Sequence, residues 1–442
     1  MALKGPRRPV RRGIPAQRRR WILWLSFLSL FSFAYVSLFQ PHFSFLALHY
    51  AWIDKGASIN EIEATNLWSK DFLRRTPFSR PPRPNSRKHH VPCKIDFVSS
   101  VDSLIEPESY INFTRFSLNY ITRDQYSYNN NSINVPLFGG HQTLEEREHS
   151  YHARNQMLHC GFVKGDTGSY DSGFELDGKD KKIMANCTVV VSSCIFGNSD
   201  FLRRPTKHKM GTYTKMNVCF MMFMDALTLD KLSSEGNIPD KNGKIGLWRV
   251  ILVKSLPYTD MRKTGKVPKF LSHRLFPSAR YSIWFDSKMR LDTDPMLIIE
   301  YFLWRKGAEY AISRHYDRSC VWDEVLQNKK LNKYNHTLID EQFNFYQSDG
   351  LVRFNQSDPN IPLPSFVPEG SFIVRAHTPI SNLFSCLWFN EVNRFTSRDQ
   401  LSFAYTFLKL RRLNPDKPFH FNMFMDCERR AVAKLFHHRT QP

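Results

Sequence analysis

One stretch of the chain restricts its architecture before anything else does. Residues 21–39 carry no charged side chain, and a helix over them, at ~1.5 Å per residue, reaches about 29 Å, enough to cross the hydrocarbon core of a bilayer. The residues before it, 1–20, hold Lys4, Arg7, Arg8, Arg11, Arg12, Arg18, Arg19 and Arg20 and no acidic residue. A cleaved signal peptide is the competing reading. The apolar run is longer than the usual signal core, however, and no small-x-small site closes it, because Val36, Ser37, Leu38 and Phe39 lead straight into Gln40 and Pro41. A retained anchor is therefore expected. Short basic flanks stay cytoplasmic, so the remainder faces the lumen, in type II topology.

That orientation accounts for much of the charge. The 442 residues include 62 Lys plus Arg and 41 Asp plus Glu, a net +21, and the tail supplies over a third of it. With the tail explained by orientation and anionic headgroups, no nucleic-acid partner is called for. Hydrophobic residues at 42% and charged residues at 23% describe a chain with a real core, not a disordered, collagenous or multi-span one. Five glycosylation sequons, at Asn112, Asn130, Asn186, Asn335 and Asn355, suit a lumenal chain, although some arise by chance at this length. All eight cysteines follow the anchor, where disulfides are permitted, and the sequence does not fix their pairing. No CxxC, HExxH, GxSxG or P-loop motif occurs.

Composition then divides the chain into a basic tail (1–20), the anchor (21–39), a Pro-rich and cationic stem (40–92), an irregular subdomain or lid (93–185), an α/β domain (186–430) and a short C-terminal tail (431–442). Within the α/β domain, apolar runs at 188–196, 218–224, 248–256, 281–285 and 310–313 read as strands. Stretches at 269–276 and 295–306 read as helices, the second opened by Asp294 as N-cap and Pro295 at the first helical position. This alternation predicts a mixed sheet flanked by helices. In such sheets ligands bind beyond the carboxyl ends of the strands.

The sharpest constellation is Ile283-Trp284-Phe285-Asp286-Ser287-Lys288, followed by Asp292 and Asp294. Glycosyltransferases of the A type place an Asp-x-Asp motif in this context to hold a divalent cation, Mn²⁺ or Mg²⁺, against a nucleotide sugar's diphosphate. Here Lys288 occupies the third position. Either a cation is held by Asp286 with Asp292, or the Lys288 ammonium replaces it as counter-charge; a simple turn cap at Asp286 is the alternative without function. Glu369 and Gly370 form an acid-Gly turn followed by Arg375 and His377, and Glu391, Arg394, Arg398 and Asp399 crowd a helix start. Glu369 and Asp399 are candidates to frame the acceptor, with Asp399 as base, unless Asp399 merely satisfies helix N-terminal donors. Ser193 and Asp200 lie where a donor nucleotide would rest. Lys269, His273 and Arg375 are candidates to grip its phosphates, the first two on one face of a single helix.

Taken together, 189–200, 269–277, Trp284 to Leu291, 311–316, Val367-Pro368-Glu369-Gly370, 382–391 and Arg398-Asp399-Gln400 resemble the plant mucilage-related and turgor-regulation-defect family. The likeness runs from about residue 93 to 426, and the short stem looks more like the turgor-regulation branch. The resemblance implies a plant Golgi membrane protein with a GT-A-like fold. Its mucilage-related members imply a hexosyltransferase that moves sugar from a nucleotide sugar to a wall polysaccharide or glycoconjugate. Its turgor-regulation member implies an alkaline ceramidase acting on ceramide. No activated nucleophile or zinc set for amide hydrolysis is legible, so glycosyl transfer is the expectation and ceramide hydrolysis the alternative; a non-catalytic sugar-binding or scaffold protein is the third.

Overall fold

The chain uses its short apolar runs as strands. In the computed structural model, which describes residues 93–108, 111–123, 137–164 and 172–439, β1 (Leu118–Tyr120) and β2 (Gln156–Leu158) form a small parallel pair. β3 (Val189–Ile195), β4 (Val218–Met224), β5 (Lys244–Ile245), β6 (Trp248–Leu252) and β7 (Tyr281–Phe285) follow. β8 (Met289–Leu291) leaves the sheet and pairs with the late β12 (Ala433–Leu435), while β9 (Tyr310–Arg314), β10 (Pro368–Ala376) and β11 (Phe421–Phe424) complete it. The eight-stranded order is β11-β9-β10-β7-β3-β4-β6-β5. β7, β3, β4 and β6 run parallel; β10 runs antiparallel to both β7 and β9, and β11 is parallel to β9. This is the mixed sheet expected from the sequence.

Side-chain alternation sends each strand's residues to two separate cores. Val190, Phe223, Ile251, Trp284 and Ile373 face one side, under the helices Pro379–Arg394 and Asp399–Leu413; Val191, Met222, Val250, Ile283 and Phe372 face the other, against the helix Pro295–Phe302. Burying each such side chain is worth roughly 1.5–3 kcal/mol. The helix Pro295–Phe302 begins as read, with the Asp294 carboxylate accepting from the Met296 amide.

Within the segment 137–164, the helix Leu144–Ser150 has a Thr143/Glu146 capping box. It is bound to the body by Arg147, which donates to Glu391 at 2.8 Å and to the Tyr405 hydroxyl at 2.7 Å, and by the disulfide Cys160–Cys386. Cys93–Cys427 and Cys187–Cys219 are also bridged; Cys194 and Cys320 are free thiols. The expected anchor and Asn130 lie outside the described residues. No helix among the described residues is long and apolar enough to cross a membrane.

Two local expectations are corrected. The helix read at 269–276 is two pieces, Lys266–Phe270 and Ser272–Leu275, separated at Leu271, whose φ of −96° and ψ of 29° leave the helical path. Glu369 and Gly370 do not turn a hairpin. They lie inside β10, where the register against β9 shifts between Glu369 and Ile373.

Candidate active site

The site forms where β7 ends. Trp284 and Phe285 are buried, and the chain then turns out at Asp286, whose amide donates to the Ser371 carbonyl of β10 at 2.9 Å. The Trp284 indole N–H donates to Asp286 Oδ1 at 3.1 Å. Core packing thus aims a carboxylate outward from the strand end.

Opposite it lies the short helix Lys266–Phe270. Lys266 and Lys269, three residues apart, share a face, and both ammoniums donate to Asp399 Oδ2, Lys266 at 2.9 Å and Lys269 in a closer contact. Asp399 is the first residue of its helix, with a side chain only 6% exposed, and its carbonyl accepts the Trp388 indole N–H at 3.0 Å. β10 passes directly over this pair. A Cβ on Gly370 would stand 2.8 Å from Lys269 Nζ and 3.1 Å from Asp399 Oδ2, so the strand approaches this closely only without a side chain there.

Charge is concentrated here. Burial works against ionised Asp286, but the ammoniums of Lys269, Lys288 and Lys266 outweigh it and hold the carboxyl below its usual range. Asp399 is likewise disfavoured by burial and driven far down by Lys266 and Lys269. Its Oδ2 already accepts from both ammoniums, so in this arrangement Asp399 pins the two lysines, and the expected role of acceptor-side base would need that contact to open. Burial pushes Lys266 down to about 8 in spite of Asp399, whereas for Lys269 the attraction of Asp399 and Asp286 overcomes burial and raises it. Glu369 is half-buried, within electrostatic reach of Lys269, and hydrogen-bonded through its side chain to no described residue. Among the nominated carboxylates of this site it is the one not engaged by a described hydrogen-bond donor.

These residues do not fit a divalent cation. Asp399 is occupied by two ammoniums, and Asp292, the expected partner of Asp286, accepts from Thr206 Oγ1 and, at 3.0 Å, from Arg290 Nε. Asp286 is left facing three ammoniums, which repel the metal that a hard oxygen cage would hold. Among the described residues, Cys160, His273 and Cys386 are the one group of three or more possible ligands, and its two cysteines are bridged to each other. Of the two options for the counter-charge, lysine is the one the geometry supports.

Four other nominated residues sit elsewhere. Arg375 is buried at 1% exposure and directs its guanidinium to Ser282 Oγ (3.0 Å), the Phe270 carbonyl (3.2 Å) and the Lys269 carbonyl. It holds the lysine helix from behind and does not face a phosphate. His273 is turned inward by the break at Leu271 and packs against Cys160 and Cys386. Ser193 shares a face with Val191 and Ile195, away from the lysines; its Oγ is buried without a partner among the described residues. Asp200 is fully buried and acts at one remove, accepting from Ser287 Oγ at 3.0 Å and contacting His438 Nδ1 at 2.9 Å, which fastens the loop after β3 to the Asp286–Lys288 turn. Asn112, Asn186, Asn335 and Asn355 are all exposed.

The structure therefore brings together Asp286, Lys288, Lys269, Asp399 and Glu369, with Lys266, which belongs to the same run of basic residues ahead of β7, and with Cys194, which sequence reasoning missed. Lys266 was visible as the i−3 partner of Lys269. Cys194, next to Ser193 on β3, points to the lysine side, and burial first and Asp286 second push its thiol up. Period-two alternation is the signal that separates it from Ser193.

Residues 118–438 match the family model described as TOD1/MUCI70, glycosyltransferase-like domain. The chain belongs to this family. In Arabidopsis thaliana, the probable hexosyltransferase MUCI70 is 41% identical over 370 residues, 82% of this chain and 62% of that protein. The alkaline ceramidase TOD1 of the same plant is 33% identical over 276 residues, 61% of this chain and 57% of that protein. The chain thus spans about three fifths of the length of these TOD1/MUCI70 relatives. Among solved structures, apo mouse xyloside xylosyltransferase 1 is similar at 10% identity and a TM-score of 0.28, covering 54% of this chain and 84% of that one. The apo bifunctional glycosyltransferase WbbM is similar at 8% identity and 0.29, covering 54% and 39%. Both scores are too low to define a shared fold.

Proposed function

We propose that this TOD1/MUCI70 family member is a hexosyltransferase of the Golgi lumen, tethered by its N-terminal segment in type II topology, that moves a sugar from a nucleotide sugar to a polysaccharide or glycoconjugate. The observation that carries this reading is the pair Lys266 and Lys269, pinned by Asp399 beside Asp286 at the carboxyl end of β7. The diphosphate lies against Lys266, Lys269 and Lys288. Asp286 fixes the ammoniums' geometry and orients the sugar. As the bond from C1 of the sugar to the phosphate oxygen breaks, the ammoniums stabilise the charge on the departing nucleoside diphosphate. The acceptor hydroxyl oxygen bonds to C1 and its proton passes to Glu369.

Ceramide hydrolysis, the activity in the second relative's name, requires an accessible nucleophile or metal-bound water. A Ser–His contact does exist, Ser282 Oγ to His377 Nε2 at 2.8 Å, but Ser282 is fully buried and lies at the other end of β7. The test is to incubate the full chain, purified in detergent, with a nucleotide-sugar panel and separately with ceramides, with Mn²⁺ or with EDTA. Nucleotide release that persists in EDTA and disappears in Asp286→Ala supports the reading. Fatty-acid release without nucleotide turnover overturns it.

A further inference from the structure

Glu369 stands between two places. Its carboxylate acts on Lys269 on one side and on His315 on the other. Beyond His315, where β9 and β11 end, a cavity of about 270 Å³ opens between Arg314, His315 and Tyr316 on one wall and Asp426 and Arg430 on the other. It is braced to the lysine site by a single residue of β10. The Ser371 carbonyl accepts from the Asp286 amide, and its hydroxyl accepts from Arg429 Nη1 at 3.1 Å, while Arg429 and Arg430 both hold Asp426.

The cavity's chemistry is specific. Arg314 is half-buried and forms no ion pair or side-chain hydrogen bond with any described residue, an arrangement that an anionic ligand would complete. Asp426 is outnumbered by its two arginines, and Asp317 stands at the exposed rim. Tyr316 is 57% exposed, and its ring stacks on His315 with centroids 4.6 Å apart. His315 is itself held, its Nδ1 accepting from the amides of Asp317 and Arg318 at 3.1 Å each. A firmly backed aromatic face beside an unpaired guanidinium suits a sugar ring that carries a carboxylate.

We propose that this cavity is the acceptor subsite and that it takes a uronate-bearing saccharide, Arg314 gripping the carboxylate and Tyr316 lying against the ring. The proposal rests on the glycosyl-transfer reading, since it places an acceptor hydroxyl beside Glu369 and opposite the lysines.

The experiment titrates the full chain in detergent with a uronic-acid oligosaccharide, with its carboxyl-reduced counterpart, and separately with nucleoside diphosphates. The uronate form is expected to bind about tenfold or more tightly than the reduced form. Arg314→Ala should remove that difference and Arg314→Lys retain part of it, with melting temperatures near wild type. Equal affinity for the two saccharides, no saccharide binding, or a preference unchanged in Arg314→Ala overturns the subsite while nucleotide binding persists. Absence of nucleotide binding is a separate result and strikes the donor site instead.

Discussion

The two ends of the β7–β10 ladder hold similar residues and put them to different uses. At one end Arg375 lies opposite Ser282, and the guanidinium, two serines and His377 satisfy one another inside the core. At the other, beyond the Phe285–Phe372 pair, lysines and carboxylates converge, with Glu369 making no side-chain hydrogen bond to a described residue and Lys266 pushed down to about 8. The closed end is a fastener, and through the carbonyls of Lys269 and Phe270 it holds the helix that the open end uses. Basic character alone does not distinguish the two ends; how completely their polar groups satisfy one another does.

Substitution at the open end should have the largest effect on activity. Asp286→Asn should lower transfer by about 10²–10³-fold, a size typical of losing one preorganised charged contact, with little change in melting temperature. At the closed end Arg375→Met should reverse the pattern. It leaves several buried carbonyl and hydroxyl groups without their donor and should cost about 3 kcal/mol or more in denaturant unfolding, while the fraction that stays folded keeps its nucleotide affinity to within severalfold.

Lys266 sharpens the contrast through pH. It is protonated below about 8 and neutral above, so nucleoside diphosphate affinity should fall as pH rises from 7 to 9, by about tenfold, and Lys266→Arg should flatten that profile. A flat wild-type profile would remove Lys266 from the phosphate site. Smallest is Ser282→Ala, expected to cost about 1 kcal/mol of stability with catalysis intact.

Much of the fold was legible because its strands are short, apolar and β-branched or aromatic. Val218–Met224 and Tyr281–Phe285 form where the pattern puts them, and Asp294 with Pro295 opens its helix as capping chemistry requires. The position of Asp286 was legible because a carboxylate directly after a buried strand must emerge beyond that strand's carboxyl end. Arg375 and His273 were not, since Arg375 is satisfied by carbonyls about a hundred residues away in sequence and His273 packs against a disulfide that joins residues 226 apart. The roles of Asp399 and Asp292 depend on partners distant in the chain, Lys266 and Lys269 for the one and Thr206 for the other. Gly370 reads as a turn residue but serves as clearance for Lys269 Nζ.

In the proposed transferase, lysine ammoniums at the open end supply the counter-charge for a nucleotide's diphosphate. Calorimetric titration of UDP and GDP into the full chain, in EDTA and then in Mn²⁺, tests it most directly, with Lys266→Met beside wild type. At least one nucleotide is expected to bind in EDTA, Mn²⁺ should change its affinity little, and Lys266→Met should weaken it. Binding that requires Mn²⁺ and is indifferent to Lys266 would rule out lysine as the counter-charge and return Asp286 to the role of a metal ligand.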